Sequence, residues 1–252
     1  HILKHLDSSV EFKDVTENYA CLGVFGPKSR NLMNDIAGKN FETKDFPFAT
    51  GKNIEISNIK LWAQRLSYAG ELGWEIFIPI NYAKIIYDKI IKEGSKYQIC
   101  NAGVHALDTL RMEKGYLHWG HDISPEENQY EAGLAFAISL KKKLDFIGKE
   151  SVLKIKKNKT MKKLVILSLK TNKPGYPLLL HDEPVFLNSK IVGRTTSGNY
   201  SFNYKKNIAF AYINSQENTE VRNVEIEVEK IKYDAVIESK PLHDADNKNI
   251  RN

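Results

Sequence analysis

Apolar and polar residues alternate with a period of two over many short stretches of the chain and with a period near 3.6 over three longer ones. The pattern therefore predicts strands and helices together. Residues 10–12 and 19–25 read as short strands separated by a polar turn. Gly26-Pro27 follows, and proline suits the first turn of a helix, which the spacing carries to about Ile36 with Gly38 as its stop. Residues 39–53 are polar and glycine-bearing and read as loop, with a short helix as the alternative. Residues 54–67 and 73–80 read as strands around a glycine-bearing turn. Asn81 is placed to cap a helix reaching Glu93, with Tyr82, Ile85, Ile86 and Ile90 as its apolar stripe and Gly94 at its end. A second helix runs from near Asn101 to near Gly115, with Val104, Leu107 and Leu110 facing inward. Arg111 falls beside that stripe, its stem on the core edge and its head in water or in an ion pair. Phe146-Ile147-Gly148-Lys149-Glu150 opens a further short helix, followed by a lysine-rich stretch.

After Lys162 the texture changes. Residues 163–169, 176–180, 184–186, 191–194, 208–213 and 224–236 are short, β-branched and separated by turn residues, as in a small all-β barrel or sandwich. The fold class expected is α+β for residues 1–160, followed by a β domain over residues 161–252. The boundary is set in the charged stretch between the two textures. No internal repeat is evident.

Within this frame one stretch stands out: Leu66-Ser67-Tyr68-Ala69-Gly70-Glu71-Leu72-Gly73-Trp74-Glu75-Ile76-Phe77-Ile78-Pro79. Strand alternation puts Trp74, Ile76 and Ile78 on one face and Glu75 with Phe77 on the other. From pattern alone Glu75 has two readings. It is a surface acid on a solvated face, or it points into a pocket, where burial requires a partner for its charge.

Composition narrows the class. With 42% hydrophobic and 27% charged residues in 252, the chain can bury a substantial core as a globular protein. Its longest apolar run, around residues 133–140, falls far short of the roughly 20 residues that cross a bilayer. The two cysteines, Cys21 and Cys100, lie in or beside apolar segments and read as small buried hydrophobes, which suits a reducing compartment. The net charge of +6 is thinly spread apart from Lys141-Lys142-Lys143 and the lysines of residues 154–163. No aromatics interleave those lysines, so a solvated face is preferred to a nucleic-acid surface. His118-Trp119-Gly120-His121-Asp122 holds two histidines three apart, but catalytic zinc needs three well-placed protein ligands, so no metal is assigned. No P-loop, dinucleotide fingerprint or supported Ser-His-Asp order appears.

The stretch Tyr68-Ala69-Gly70-Glu71-Leu72-Gly73-Trp74-Glu75-Ile76 resembles the corresponding segment of the glycine cleavage T-protein (aminomethyltransferase) family. That family includes the folate-binding C-terminal parts of dimethylglycine and sarcosine dehydrogenases. The resemblance continues through Ala106-Leu107-Asp108-Thr109-Leu110-Arg111-Met112-Glu113-Lys114-Gly115, Phe146-Ile147-Gly148-Lys149-Glu150, Val192-Gly193-Arg194-Thr195-Thr196-Ser197-Gly198 and Lys240-Pro241-Leu242-His243-Asp244. It thus covers nearly the whole chain in order. The His118–Asp122 cluster and the Pro-Leu-His-Asp tail lean toward the dehydrogenase-linked branch.

The resemblance implies tetrahydrofolate as co-substrate, transfer of an aminomethyl-derived carbon, and 5,10-methylenetetrahydrofolate as product. It implies Glu75 as the pterin ligand, since an ionised carboxylate can accept two adjacent N–H donors of that ring. Tyr68 matches an aromatic position of the same pocket, its alternative being a strand-end ring hydrogen-bonded to water. Trp119 belongs to the loop that the resemblance sets near the folate chamber. Arg194 could hold a folate-tail carboxylate bidentately, with Tyr200 as a weaker candidate at the same opening, though a sheet-edge arginine is the commoner role. A mild positive field suits an anionic ligand such as a polyglutamylated folate.

Two departures matter. The family commonly has arginine where this chain has Leu107, in Ala106-Leu107-Asp108. The family's acid-base aspartate also falls upstream of His1, so no residue is assigned to proton transfer. The chain is then expected to be a fragment that binds folate weakly and catalyses poorly or not at all. FAD is implied only if an upstream flavin domain exists. Alternatives are the folate module of a flavin-linked dimethylglycine or sarcosine dehydrogenase, and a non-catalytic folate-binding accessory protein. Expected partners are folate and a small methylamine or aminomethyl donor, with neither nucleic acid nor membrane, and with oligomerisation open. The expected compartment is the bacterial cytoplasm or the mitochondrial matrix.

Overall fold

Alternating apolar positions in four segments of the first half produce one antiparallel sheet, in a computed structural model that describes residues 1–158, 160–214 and 222–252. Lys159, inside the charged stretch set above as the domain junction, lies outside them. The strands are β1 (Tyr19–Phe25), β2 (Gly51–Ile56), β3 (Ile59–Gln64) and β4 (Gly73–Pro79), ordered β1-β4-β3-β2. One face carries Val24, Ile54, Ile56, Leu61, Ala63, Trp74, Ile76 and Ile78, all buried. Helix α1 (Ser29–Ala37) adds Leu32, Met33 and Ile36, and α2 (Ala83–Gly94) adds Ile86 and Ile90 to the same core. Phe41 and Phe46 pack against Trp74, with ring centroids 5.2 and 6.0 Å from it. Trp74 and its two isoleucines face inward as alternation requires, leaving Glu75 and Phe77 on the other face.

Several expectations of detail are corrected. Residues 10–12 form no strand; they are exposed chain before a short 3-10 turn at Thr16–Asn18. Residues 54–67 are not one strand. Ser57 and Asn58 both adopt positive φ, 53° and 63°, and fold the segment into the β2–β3 hairpin. Pro27 lies just before α1, not in its first turn, and Asn81 sits in a 3-10 turn ahead of α2 without capping it. Cys21 and Cys100 are exposed free thiols, not buried hydrophobes, because each falls on an outward strand or loop position.

The chain divides into two units, His1–Ser67 with Glu71–Asn101 and Asn247–Asn252, and Tyr68–Gly70 with Ala102–Asp246. In the second, α3 (Val104–Lys114) ends at Gly115, whose left-handed φ of 79° lets its N–H and the next close the helix. Its buried face is not the expected one. Val104 is 74% exposed, whereas Thr109, Arg111, Met112, Glu113 and Lys114 are buried. Helix α4 (Lys149–Lys157) takes in lysines that had been placed after it.

Six strands, β5 (Lys162–Leu169), β6 (Pro184–Leu187), β7 (Lys190–Ser201), β8 (Lys206–Asn214), β9 (Asn223–Val228) and β10 (Ile231–Glu238), close into an antiparallel barrel. Closure removes every free edge and fills the interior with Leu167, Val185, Val192, Ala209, Ala211, Ile226 and Ala235. Residues 176–180 are not a strand. The Asn207 side chain donates to the carbonyls of Thr171, Lys173 and Tyr176, and the loop inserts Leu179 into the barrel core. The tail ends in α5 (Lys248–Arg251). Among the described residues no helix is long and apolar enough to cross a membrane.

Candidate ligand faces in the two units

In the first unit, strand register builds the site. Glu75 stands opposite Gly23 of β1 and Gln64 of β3, and Gln64 stands opposite Gly51 of β2. One row across all four strands, on the face away from the core, therefore reads Gly-Glu-Gln-Gly. The next row reads Cys21, Phe77, Trp62 and Asn53. Glu75 is half-buried and accepts no hydrogen bond or ion pair among the described residues. Its charge is felt by Cys21, whose thiol is pushed up first by burial and then by that carboxylate. Trp62 is 40% exposed, a large aromatic surface on an uncovered sheet face. Such a face, with a half-sheltered acid beside aromatic rings, can stack a planar ring and accept its N–H groups.

In the second unit the chemistry is largely internal. Arg111 reaches from α3 to Asp122, and the two side chains are 2% and 0% exposed. Asp122 also accepts from the His118 amide at 2.8 Å, Thr196 at 2.6 Å and Ser197 at 2.7 Å. A register shift between Thr195 and Ser197 explains how two consecutive hydroxyls reach one carboxylate, since a bulge suspends strand alternation there. Arg111 further bonds Asp108 at 2.7 Å, the Tyr116 carbonyl at 3.1 Å and Ser197 at 2.8 Å. Every strong polar group of this cluster is satisfied, which is how a buried charge pair is tolerated.

An open cleft of about 700 Å³ lies on the barrel wall, lined in part by His121, Glu127, Lys162, His181, Arg194 and Tyr212. Lys162 holds Glu127 at 2.5 Å and lies 4.7 Å from the Tyr212 ring centroid. Burial alone would raise Glu127, but hydrogen bonds from Lys162 and Ser124 outweigh it and hold the carboxyl below its ordinary range. Burial, reinforced by the nearby acids Glu127, Asp122 and Glu131, pushes the Tyr212 phenol far up. Arg194 already holds Asp182 at 3.0 Å, and His181 shares that acid at 2.9 Å. Among the described residues no group of three or more His, Cys, Asp or Glu could hold a metal, although the rings of His118 and His121 lie 4.6 Å apart.

The singled-out residues thus fall in different places. Glu75 belongs to the first unit; Tyr68, Trp119, Arg194 and Tyr200 belong to the second. Tyr68 donates to the Leu117 carbonyl at 2.9 Å and stacks on Tyr116 at 6.2 Å, with burial pushing its phenol up. Trp119 is 66% exposed on its loop. Arg194 lines the cleft, whereas Tyr200 does not and packs edge-on against Phe202 at 5.1 Å. The tail motif anchors α3: Pro241 covers Gly115, and Asp244 pairs with the buried Lys114 at 2.9 Å. Gln64 and Trp62 were passed over by sequence reading, and Asp122 was weighed there only within the His118–Asp122 cluster. Strand pairing register alone sets Gln64 and Trp62 beside Glu75 and Phe77, and the hairpin turn at Ser57-Asn58 was the one local signal of it.

Comparison with known proteins covers both units, with a first family domain that extends from the first unit well into the second. Residues 1–142 match the model of the GCVT N-terminal domain, and residues 162–244 that of the glycine cleavage T-protein C-terminal barrel domain. The chain is 36% identical over 233 residues to human mitochondrial dimethylglycine dehydrogenase, covering 92% of this chain and 27% of that protein. It is 32% identical over 209 residues to an aminomethyltransferase of Symbiobacterium thermophilum, covering 81% of this chain and 54% of the other. Among solved structures it superposes on the glycine cleavage system aminomethyltransferase T of Bartonella henselae with a TM-score of 0.78. That likeness is at 24% identity, over 90% of this chain and 60% of the other. The chain therefore spans about a quarter of the dehydrogenase and little over half of the transferases.

Proposed function

The chain belongs to the glycine cleavage T-protein family, and we propose that it binds tetrahydrofolate as acceptor in one-carbon transfer of the aminomethyltransferase type, yielding 5,10-methylenetetrahydrofolate. The observation that carries this reading is Glu75. It is a half-buried carboxylate with no protein partner among the described residues, set on an open face beside Phe77 and Trp62. An acid left free on such a face is suited to a heterocycle whose edge offers two adjacent donors. Glu75 would fix the pterin in the plane of that edge, and the aromatic row would exclude water from one side. Holding the acceptor nitrogen in one orientation is where positioning lowers the barrier. Within the second unit, considered by itself, Arg194 on the cleft is the candidate for a carboxylate, once released from Asp182; Trp119, Tyr68 and Tyr200 are carried as candidate ring surfaces of that unit, the last two packed on Tyr116 and Phe202. We place the junction of the two family domains at residues 160/161, in the gap between the matched spans.

A second reading, the folate module of a flavin-linked dimethylglycine or sarcosine dehydrogenase, is favoured by the 36% identity over nearly all of this chain. In that case the carbon captured arrives at the formaldehyde oxidation level from flavin chemistry on another part of the protein. The two readings share the folate site.

Titration calorimetry of the chain with 5-formyltetrahydrofolate, a stable reduced folate, tests the shared element. Wild type is expected to bind and Glu75→Gln to bind at least about tenfold more weakly, the loss of one charge-assisted contact. No binding by wild type, or equal binding by the variant, overturns the reading.

A further inference from the structure

Glu75 has a neighbour on the open face that nothing above assigns. We infer that Gln64 is the specificity-determining partner of Glu75, reading the ring position next to the two N–H groups the acid accepts. This rests on the reading of Glu75 as the ring anchor.

The geometry is that of a trench one residue wide. Gln64 and Glu75 are cross-strand partners on β3 and β4, so their side chains leave the sheet side by side, about 5 Å apart at Cβ. Neither is hydrogen-bonded to the other or to any other described residue, although each is half-buried. The two ends of the row are glycines, Gly23 and Gly51, which carry no side chain of their own, and the rings of Phe25 and Trp62 lie over them instead. Those glycines also admit the aromatic borders. A Cβ on Gly51 would meet the Trp62 ring at 2.5 Å, and one on Gly23 would meet the Phe25 ring at 2.5 Å. Both rings therefore lie down across a neighbouring position that any other residue would fill. Phe77 and Trp62 border one side of the acid and amide, and Phe25, opposite Gly73, borders the other.

The chemical class that fits is a planar heteroaromatic ring with a mixed edge: two adjacent donors for Glu75, and beside them a ring carbonyl for the Gln64 amide N–H. A carboxamide can turn either its N–H or its oxygen to a ligand, whereas a carboxylate only accepts. That difference separates Gln64 from a bystander, because a change to glutamate swaps a donor to the ring 4-oxo group for an acceptor that repels it, a penalty that a 2,4-diamino ring, which has no 4-oxo group, does not meet.

The test measures dissociation constants of the whole chain for 5-formyltetrahydrofolate, which carries the 4-oxo group, and for a 2,4-diaminopteridine antifolate. Gln64→Glu is expected to shift the ratio of the two constants by about tenfold in favour of the diamino ligand. Gln64→Met, which removes the amide at similar volume, is expected to weaken 5-formyltetrahydrofolate less than Gln64→Glu does, because it removes the donor without adding a repelling acceptor. Thermal melts of both variants identify any that fails to fold. An unchanged ratio in Gln64→Glu, with Glu75→Gln still weakened, overturns the role of Gln64 and leaves the anchor standing. Indifference of both Glu75→Gln and Gln64→Glu overturns the anchor and this inference together.

Discussion

Arg111 and Asp122, eleven residues apart in the chain, form an ion pair from which solvent is almost wholly excluded, the two side chains being 2% and 0% exposed. The pair joins α3 to the loop that follows it. Through Thr196 and Ser197 it also ties both to the bulge in β7. It is the polar keystone of the second unit, since four donors converge on the one carboxylate.

Replacing Arg111 with Met leaves Asp122 buried and short of its counter-charge. The expected loss is about 3–5 kcal/mol of unfolding free energy, the range for breaking a buried pair on one side. Asp122→Asn combined with Arg111→Met should restore part of it, because the acid then carries no charge to strand. Urea denaturation of the three variants measures this, and additive losses would count against the coupling.

The Lys162–Glu127 pair on the cleft predicts an acid-sensitive contribution. Glu127 is held below its ordinary value of 4.5, so the folded state binds that proton less readily than the unfolded chain. Its stabilisation is complete above the unfolded value and is lost as pH falls through the lower folded value. Lys162→Met removes the largest of the hydrogen bonds lowering it. The unfolded chains titrate alike, so the difference in urea midpoint between wild type and this variant should be constant near neutral pH and shrink as pH falls through the variant's folded value toward the lower one of wild type.

Gly193 on β7 has no room for a side chain. A Cβ there would fall 1.9 Å from the Tyr212 carbonyl oxygen, a backbone atom of the paired strand β8 that cannot swing aside. Gly193→Ala should cost about 1–3 kcal/mol as an overpacking change. It should also disturb the cleft, where Gly193 and Tyr212 are both lining residues. Thermal denaturation reads the first effect. The second shows as a change in the Tyr212 ring environment in near-ultraviolet circular dichroism.

Local signals served well where the physics is local. The period of two in 73–79 and its glycine boundaries placed β4 and turned Trp74, Ile76 and Ile78 inward. Gly94 and Gly115 marked two helix ends, and the change of texture after Lys162 announced the barrel. The helical period failed on α3, where it selected Val104, Leu107 and Leu110. The buried side carries Arg111, Glu113 and Lys114, because each meets an opposite or hydrogen-bonding partner far along the chain: Asp122, Ser201 and Asp244. A charge is expelled or accepted according to its partners, and a periodicity sees none of them.

By itself the sequence determined most of the run of strands and helices, the family to which they belong and the acid on which the ligand reading turns. These depend on neighbours within a few residues or on motifs kept in order along the chain. Tertiary structure alone decided that Gln64 stands beside Glu75 between two glycines, and that Arg111 is buried. Strand register and the pairing of distant charges set both, and neither leaves a trace in the spacing of residues along one segment.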